Sequence, residues 1–293
     1  MKRACKQSGE SSERIKNIFR EAMLMHRLSE YGCVAAPVLQ GIFTEGSFQY
    51  FLTPYTELDL QFAIESGVPL VVDDLTTQLV NAVSFLHYVN VVHRDIKPNS
   101  VLLFPTGGLN NLVKLCSWGF AASVQSKESL SPIPPKYLRY KAPEYFYRKE
   151  KEWDWKAMDL WSLGCVLAEI ITKSPIFPCW QKEKMLPTIF SYNECLPPQL
   201  SKEDRQNKRP FVSNQILDSA ITQHKLEGMK EISLTRVLRF ENYNVAKTII
   251  SLLEFVPEDR TLPEADSAEE KLPERLQLED EDIEEWKKLF YDD

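Results

Sequence analysis

The 293-residue chain has no run of about 18 or more apolar residues, the length a membrane-spanning helix requires. Its first residues, MKRACKQSGESSERIK, lack the apolar core of a secretory signal peptide. From these two absences we read the protein as intracellular, in the cytoplasm with the nucleus also open. The six cysteines, Cys5, Cys33, Cys116, Cys165, Cys179 and Cys195, stand far apart and include no C-x-x-C pair. Zinc and dithiol redox chemistry are therefore not expected, and the thiols are read as reduced. An excess of basic charge is missing too: the formal net charge is −7, which argues against a general nucleic-acid binder. Most of it sits in residues 264–293, where thirteen Asp or Glu face four Lys or Arg, so the rest of the chain is close to neutral.

With 43% hydrophobic residues the chain can bury a full core, as one large domain or two lobes. In residues 12–29, Ile15, Ile18, Phe19, Ala22, Met25 and Leu28 recur at spacings of three and four, which predicts an amphipathic helix. Two β-like runs follow, CVAAPVLQGIF and FQYFLTP, and the intervening TEGS predicts an antiparallel hairpin. Leu75, Leu79, Ala82, Val83 and Leu86 predict a second long helix over 73–87. DLWSLGCVLAEIIT is apolar almost all round, as in a helix at the middle of a domain. Residues 182–214, rich in Pro, Gln, Asn and charge, read as a long surface excursion.

Six landmarks stand in order: the helix carrying Glu21, HRDIKP at 93–98, KLCSWGF at 114–120, YKAPEY with Ala142, Pro143 and Glu144, DLWSLGC with Asp159, and PEDR at 257–260. In all six the chain resembles the eukaryotic protein kinase superfamily, over roughly residues 1–262. DLWSLGCVLAEIITKSPIFP is most similar to the branch of the cyclin-dependent and mitogen-activated kinases. The resemblance implies an α+β, bilobal fold with an incomplete N-terminal β-sheet lobe and a mainly helical C-lobe. The expected division is a truncated N-lobe over 1–55, a C-lobe over 56–263, and an acidic tail over 264–293.

Phosphoryl transfer is mostly positioning plus neutralisation of the triphosphate, by a glycine-rich loop, a lysine–glutamate pair and magnesium held by one aspartate and one asparagine. The resemblance makes Asp95 the residue that accepts the substrate hydroxyl's proton and Lys97 the one that steadies the transferred phosphate. The asparagine is due five residues after Asp95, where Ser100 stands, with Asn99 one residue early. Ser117, Trp118 and Gly119 occupy the places of Asp, Phe and Gly, so the carboxylate that bridges the metals is replaced by a hydroxyl. The glycine-rich loop is absent from these residues. Lys2, 19 residues before Glu21, is the candidate ion-pair lysine, with Lys6 as runner-up. The resemblance further implies Thr53 as the gatekeeper, Pro54 and Tyr55 as hinge residues, and Leu102 as the adenine floor.

Met25, His93, Trp118 and Asp159 fall where the family stacks an internal spine, and the Trp118 indole N–H needs a partner that could hold the turn in one position. Arg94 is the residue that in relatives clamps a phosphorylated activation loop. Residues 121–135 carry Ser126, Ser129 and Ser131, read as a solvated loop with a regulatory phosphosite as the alternative. The resemblance also implies that Glu144 and Arg260 form a buried ion pair, as the matching residues of the family do. In the tail, Ile283, Trp286, Leu289 and Phe290 share one helical face, which either folds back on its own lobe or docks into a partner's groove. The reading is a pseudokinase that binds a kinase or a scaffold protein in intracellular signalling, without nucleic acid, membrane span, metal or cofactor. The alternative is an active serine/threonine kinase using Mg-ATP, with atypical metal handling or with a missing N-terminal segment that supplies the loop.

Overall fold

The computed structural model describes residues 2–5, 12–45, 48–124, 138–192, 195, 215–216, 219–222, 233–238 and 243–263. These fall into two compact units, one made of the described residues of 1–69 and 77–133, the other of those of 70–76 and 134–266. Helices and short strands are both present, so the fold is α+β.

The first unit opens with β1 (Lys2–Cys5), α1 (Ser12–Glu30), β2 (Gly41–Glu45) and β3 (Phe48–Leu52). The sheet order is β1-β3-β2, antiparallel throughout, with Lys2 opposite Phe51 and Gly41 opposite Leu52. The apolar stripe of α1 is its core face: Phe19, Met23, Leu24 and Leu28 are sealed from water. Phe19 meets Phe51 of β3 edge-on, with ring centroids 5.7 Å apart. Each such side chain contributes roughly 1.5–3 kcal/mol by leaving water. The helix ends at Gly32, whose φ of 76° lets Cys33 N–H donate back to Leu28 O at 2.8 Å.

The predicted first strand begins only at Gly41, because residues 33–40 are held in a loop instead. Pro37 offers no N–H to a ladder, and the loop carbonyls go elsewhere: Ala35 O accepts Leu115 N–H at 2.7 Å, and the Lys114 ammonium donates to Val34 O and Ala36 O at 2.8 and 3.2 Å.

Next come α2 (Leu60–Glu65), capped by the Asp59 carboxylate on Phe62 N–H at 2.8 Å, and α3 (Val72–Tyr88), whose residues from Thr77 on belong to this unit. Short β4 (Val91–Val92) pairs with β7 (Ala122–Ser123), and β5 (Val101–Pro105) pairs with β6 (Asn111–Leu115). Along the outer edge of β6 the Gln78 side chain accepts from Val113 N–H at 2.9 Å and donates to Asn111 O at 2.8 Å.

The second unit is built on α5 (Trp155–Thr172), which follows the short α4 (Glu144–Tyr147). Asp154 caps α5 by accepting Ala157 N–H at 3.1 Å, and every residue from Ala157 to Ile171 is buried, which explains the lack of a polar face in its sequence. Around it lie α6 (Lys182–Phe190), α7 (Leu234–Leu238) and α8 (Tyr243–Leu252). Gly164 has a steric reason: a Cβ there would stand 2.9 Å from Leu253 and 3.0 Å from Leu252. The expected surface excursion over 182–214 is corrected in its first part. Residues 182–190 form α6, and Met185, Leu186, Ile189 and Phe190 bury one face of it, so the polar composition hid a helical period. Residues 196–214 lie outside the described residues.

Candidate nucleotide and phosphoryl-transfer site

All the local geometry at residues 93–100 and 115–120 lies in the first unit, where β4, β5 and β6 hold the two loops. Asp95 is nearly buried, at 12% side-chain exposure, and forms an ion pair with the Lys97 ammonium. Asp95 N–H donates to His93 Nδ1 at 3.3 Å, and the other ring nitrogen, Nε2, contacts Cys116 O at 3.0 Å. A carbonyl can only accept, so Nε2 carries the proton and the ring is the neutral tautomer bridging the two loops. Arg94, with φ at 68°, donates from Nη1 to Phe120 O at 3.1 Å.

Ser100 is fully buried, and its hydroxyl is engaged twice within its own turn. It accepts Lys97 N–H at 3.0 Å and donates to Lys97 O at 2.8 Å. That closure shapes the loop and uses the hydroxyl proton on the backbone. Asn99, one residue earlier, is exposed. Ser117 adopts the left-handed region at φ 69°, ψ 45°, and its hydroxyl lies 3.7 Å from the Cys116 sulfur. Trp118 is sealed from water: its Nε1–H donates to Leu115 O at 2.9 Å, its backbone N–H donates to Glu21 Oε1 at 3.1 Å, and its ring lies 4.7 Å from that of His93. Gly119 follows in the same short turn.

The remaining sequence candidates are distributed along this unit. Lys2 lies on β1 opposite Phe51, and Lys6 lies outside the described residues. Thr53 and Pro54 follow β3 half-buried, whereas Tyr55 is 77% exposed. Leu102 sits half-buried on β5, bridged to Asp59. Ser126, Ser129, Ser131 and the helical face at 283–290 lie outside the described residues. Two features here were not read from the sequence. The bridging role of His93 has no signature beyond its motif, and the closed turn of Ser100 is a local Ser-to-backbone pattern that competes with any outward use of the hydroxyl.

In the second unit Asp159 is buried, and Glu144 pairs with Arg260. The carboxylate and guanidinium form two parallel bonds of 2.7 and 2.8 Å with both side chains fully buried. Arg260 also donates to Glu254 O at 2.8 Å, Ala157 O at 3.0 Å and Phe255 O at 3.1 Å, so all five of its N–H groups are used.

The protein kinase domain family matches residues 1–267, and the chain belongs to that family. Among curated proteins it is similar to a "probable inactive serine/threonine-protein kinase" of Dictyostelium discoideum, 32% identical over 55% of this chain and 22% of that one. It is also similar to the mitogen-activated protein kinase HOG1A of Wallemia ichthyophaga, 29% identical over 84% of this chain and 62% of that one, and to glycogen synthase kinase 1 of Pyricularia oryzae, 32% identical over 62% and 42%. The chain spans less than two thirds of the length of each of these relatives. No helix among the described residues is long and apolar enough to cross a membrane.

Proposed function

We propose that the protein is a pseudokinase that acts by binding other proteins, a kinase or a scaffold, in cytoplasmic signalling. The observation that carries this reading is the neutral Ser100 hydroxyl, which is turned inward to donate to and accept from the Lys97 backbone. Magnesium asks for hard, preferably anionic oxygen ligands. Ser117 brings a neutral hydroxyl to the second position, so the two side chains do not fit the metal. The inactive name of the Dictyostelium relative supports the same reading.

Within it, 1–55 is a short N-lobe, 56–263 the C-lobe and 264–293 a tail whose apolar face at Ile283, Trp286, Leu289 and Phe290 meets a partner. Lys2, Glu21, Thr53, Tyr55 and Leu102 are the remains of a nucleotide site. Asp95 and Lys97 are the remains of the phosphoryl-transfer machinery.

A second reading, an active serine/threonine kinase using Mg-ATP, is favoured by the Asp95–Lys97 pair and by the active-kinase names of other relatives. The decisive measurement is phosphate incorporation into a generic basic protein by the parent and by Asp95→Ala. We expect no difference between them. Incorporation by the parent that vanishes in Asp95→Ala establishes the second reading. Binding is followed separately by thermal shift, where a ligand at 100 times its Kd would stabilise the fold by about 2.7 kcal/mol. The expected shift with Mg-ATP at sub-millimolar concentration is none.

A further inference from the structure

The geometry points to Trp118 as a latch that fixes the 116–120 turn, and through Glu21 helix α1, in one position without nucleotide, metal or phosphate. Four side chains pin this short stretch of backbone: Trp118 of the turn itself, His93 and Arg94 of the neighbouring loop, and Glu21 of α1. Trp118 Nε1–H binds Leu115 O just ahead of the turn at 2.9 Å, His93 Nε2–H binds Cys116 O at 3.0 Å, Arg94 Nη1 binds Phe120 O at 3.1 Å, and Glu21 Oε1 accepts Trp118 N–H at 3.1 Å. Ser117 reaches its left-handed conformation inside this frame.

The bond to Leu115 O closes the turn on itself, and it is one that a phenylalanine in the same place cannot make. For the turn to swing away, the largest side chain in the chain's repertoire must leave a fully buried seat. Its N–H and the Leu115 carbonyl must also separate in surroundings that offer no water. The bond from Trp118 N–H to Glu21 makes α1 share that fate, since the carboxylate is buried against the same turn. All four bonds run between groups of the chain, and together they tie α1 to the turn. This holds whether or not the protein transfers phosphate, and it stands apart from the pseudokinase reading.

The test is amide hydrogen exchange of the full chain, followed by mass spectrometry in peptides covering 113–121 and 19–30, with and without Mg-ATP. Two altered chains are compared with the parent: Trp118→Phe, and a chain carrying benzothienylalanine at 118, which keeps the ring size and puts sulfur in place of N–H. Exchange in the parent should be slow in both peptides and unchanged by Mg-ATP. In both altered chains it should rise about tenfold in 113–121, the effect of losing one buried hydrogen bond, and rise in 19–30 as well. If Trp118→Phe fails to fold, the sulfur analogue alone decides. Exchange within about twofold of the parent in the sulfur analogue overturns the latch, and so does a parent whose turn slows tenfold only when Mg-ATP is added.

Discussion

Glu144 with Arg260 in the second unit, and Ser100 in the first, are both sealed from water, yet the one site holds two full charges and the other none. At Arg260 five N–H groups meet five acceptors, and the carboxylate is gripped by both of its oxygens. At Ser100 a single hydroxyl closes a turn on its own backbone, as donor and as acceptor, and brings no charge to a cation. Buried charge is costly unless fully paired. The chain keeps it where two opposite charges satisfy each other. Where a metal would have to supply the compensation, neutral groups stand instead. The difference teaches that the charged structural pair of this chain is satisfied within the second unit, by partners that owe nothing to the site at residues 93–100.

The strongest way to break the comparison is Arg260→Ala, which leaves the Glu144 carboxylate buried without its guanidinium. The expected cost is about 3–5 kcal/mol, read as a melting temperature far below that of the parent or as loss of folded protein. An unchanged melt would show that the charged pair is not needed. Replacing both partners together, Glu144→Leu with Arg260→Met, should cost less than Arg260→Ala, because no lone charge remains.

The pH dependence of the same neighbourhood sharpens the point. Burial pushes the Tyr147 hydroxyl up to about 12. Its folded value lies above the unfolded value of about 10, so its contribution is complete below pH 10 and is lost as pH rises through about 12. The shift corresponds to about 2–3 kcal/mol. Melting temperatures of the parent should therefore fall more between pH 9 and pH 11.5 than those of Tyr147→Phe. Equal falls would place the Tyr147 hydroxyl in water.

Two smaller substitutions probe packing and the neutral loop. Gly164→Ala drives a methyl group onto Leu253 at 2.9 Å, and should cost about 1–3 kcal/mol in a denaturant titration. Ser100→Ala removes both bonds to Lys97, with an expected loss of about 1–2 kcal/mol. If Ser100→Ala were neutral, the closed turn would not explain the residue, and the contrast with Arg260 would weaken.

Much of this was legible in the sequence, for identifiable reasons. The periods of α1, α3 and α5 are strong because each helix is long and buries a face or its whole girth. The Glu144–Arg260 pair could be expected because the matching residues of the resembled family pair with each other. The serines at 100 and 117 could be named as departures, but not what Ser100 does instead, since its bonds run to backbone atoms that carry no sequence signal. Helix α6 was missed because Lys182, Glu183 and Lys184 mask the apolar spacing of Met185, Leu186, Ile189 and Phe190. The loop at 33–40 reads as a strand locally, and only the distant Lys114 and Leu115 decide otherwise.

The outer edge of β6 has a consequence for how the protein behaves in crowded solution. A ribbon of two strands presents a ladder of open amides that can recruit a strand from a neighbouring chain. Here the ladder is already occupied, by the Gln78 amide at Asn111 and Val113, by Ala35 at the Leu115 N–H, and by the Trp118 indole at the Leu115 carbonyl. Gln78, Ala35 and Trp118 thus stand together where a further strand would pair. A chain carrying Gln78→Leu would be expected to reach the same fold yet self-associate as its concentration rises, a defect that no thermal melt of dilute protein would reveal.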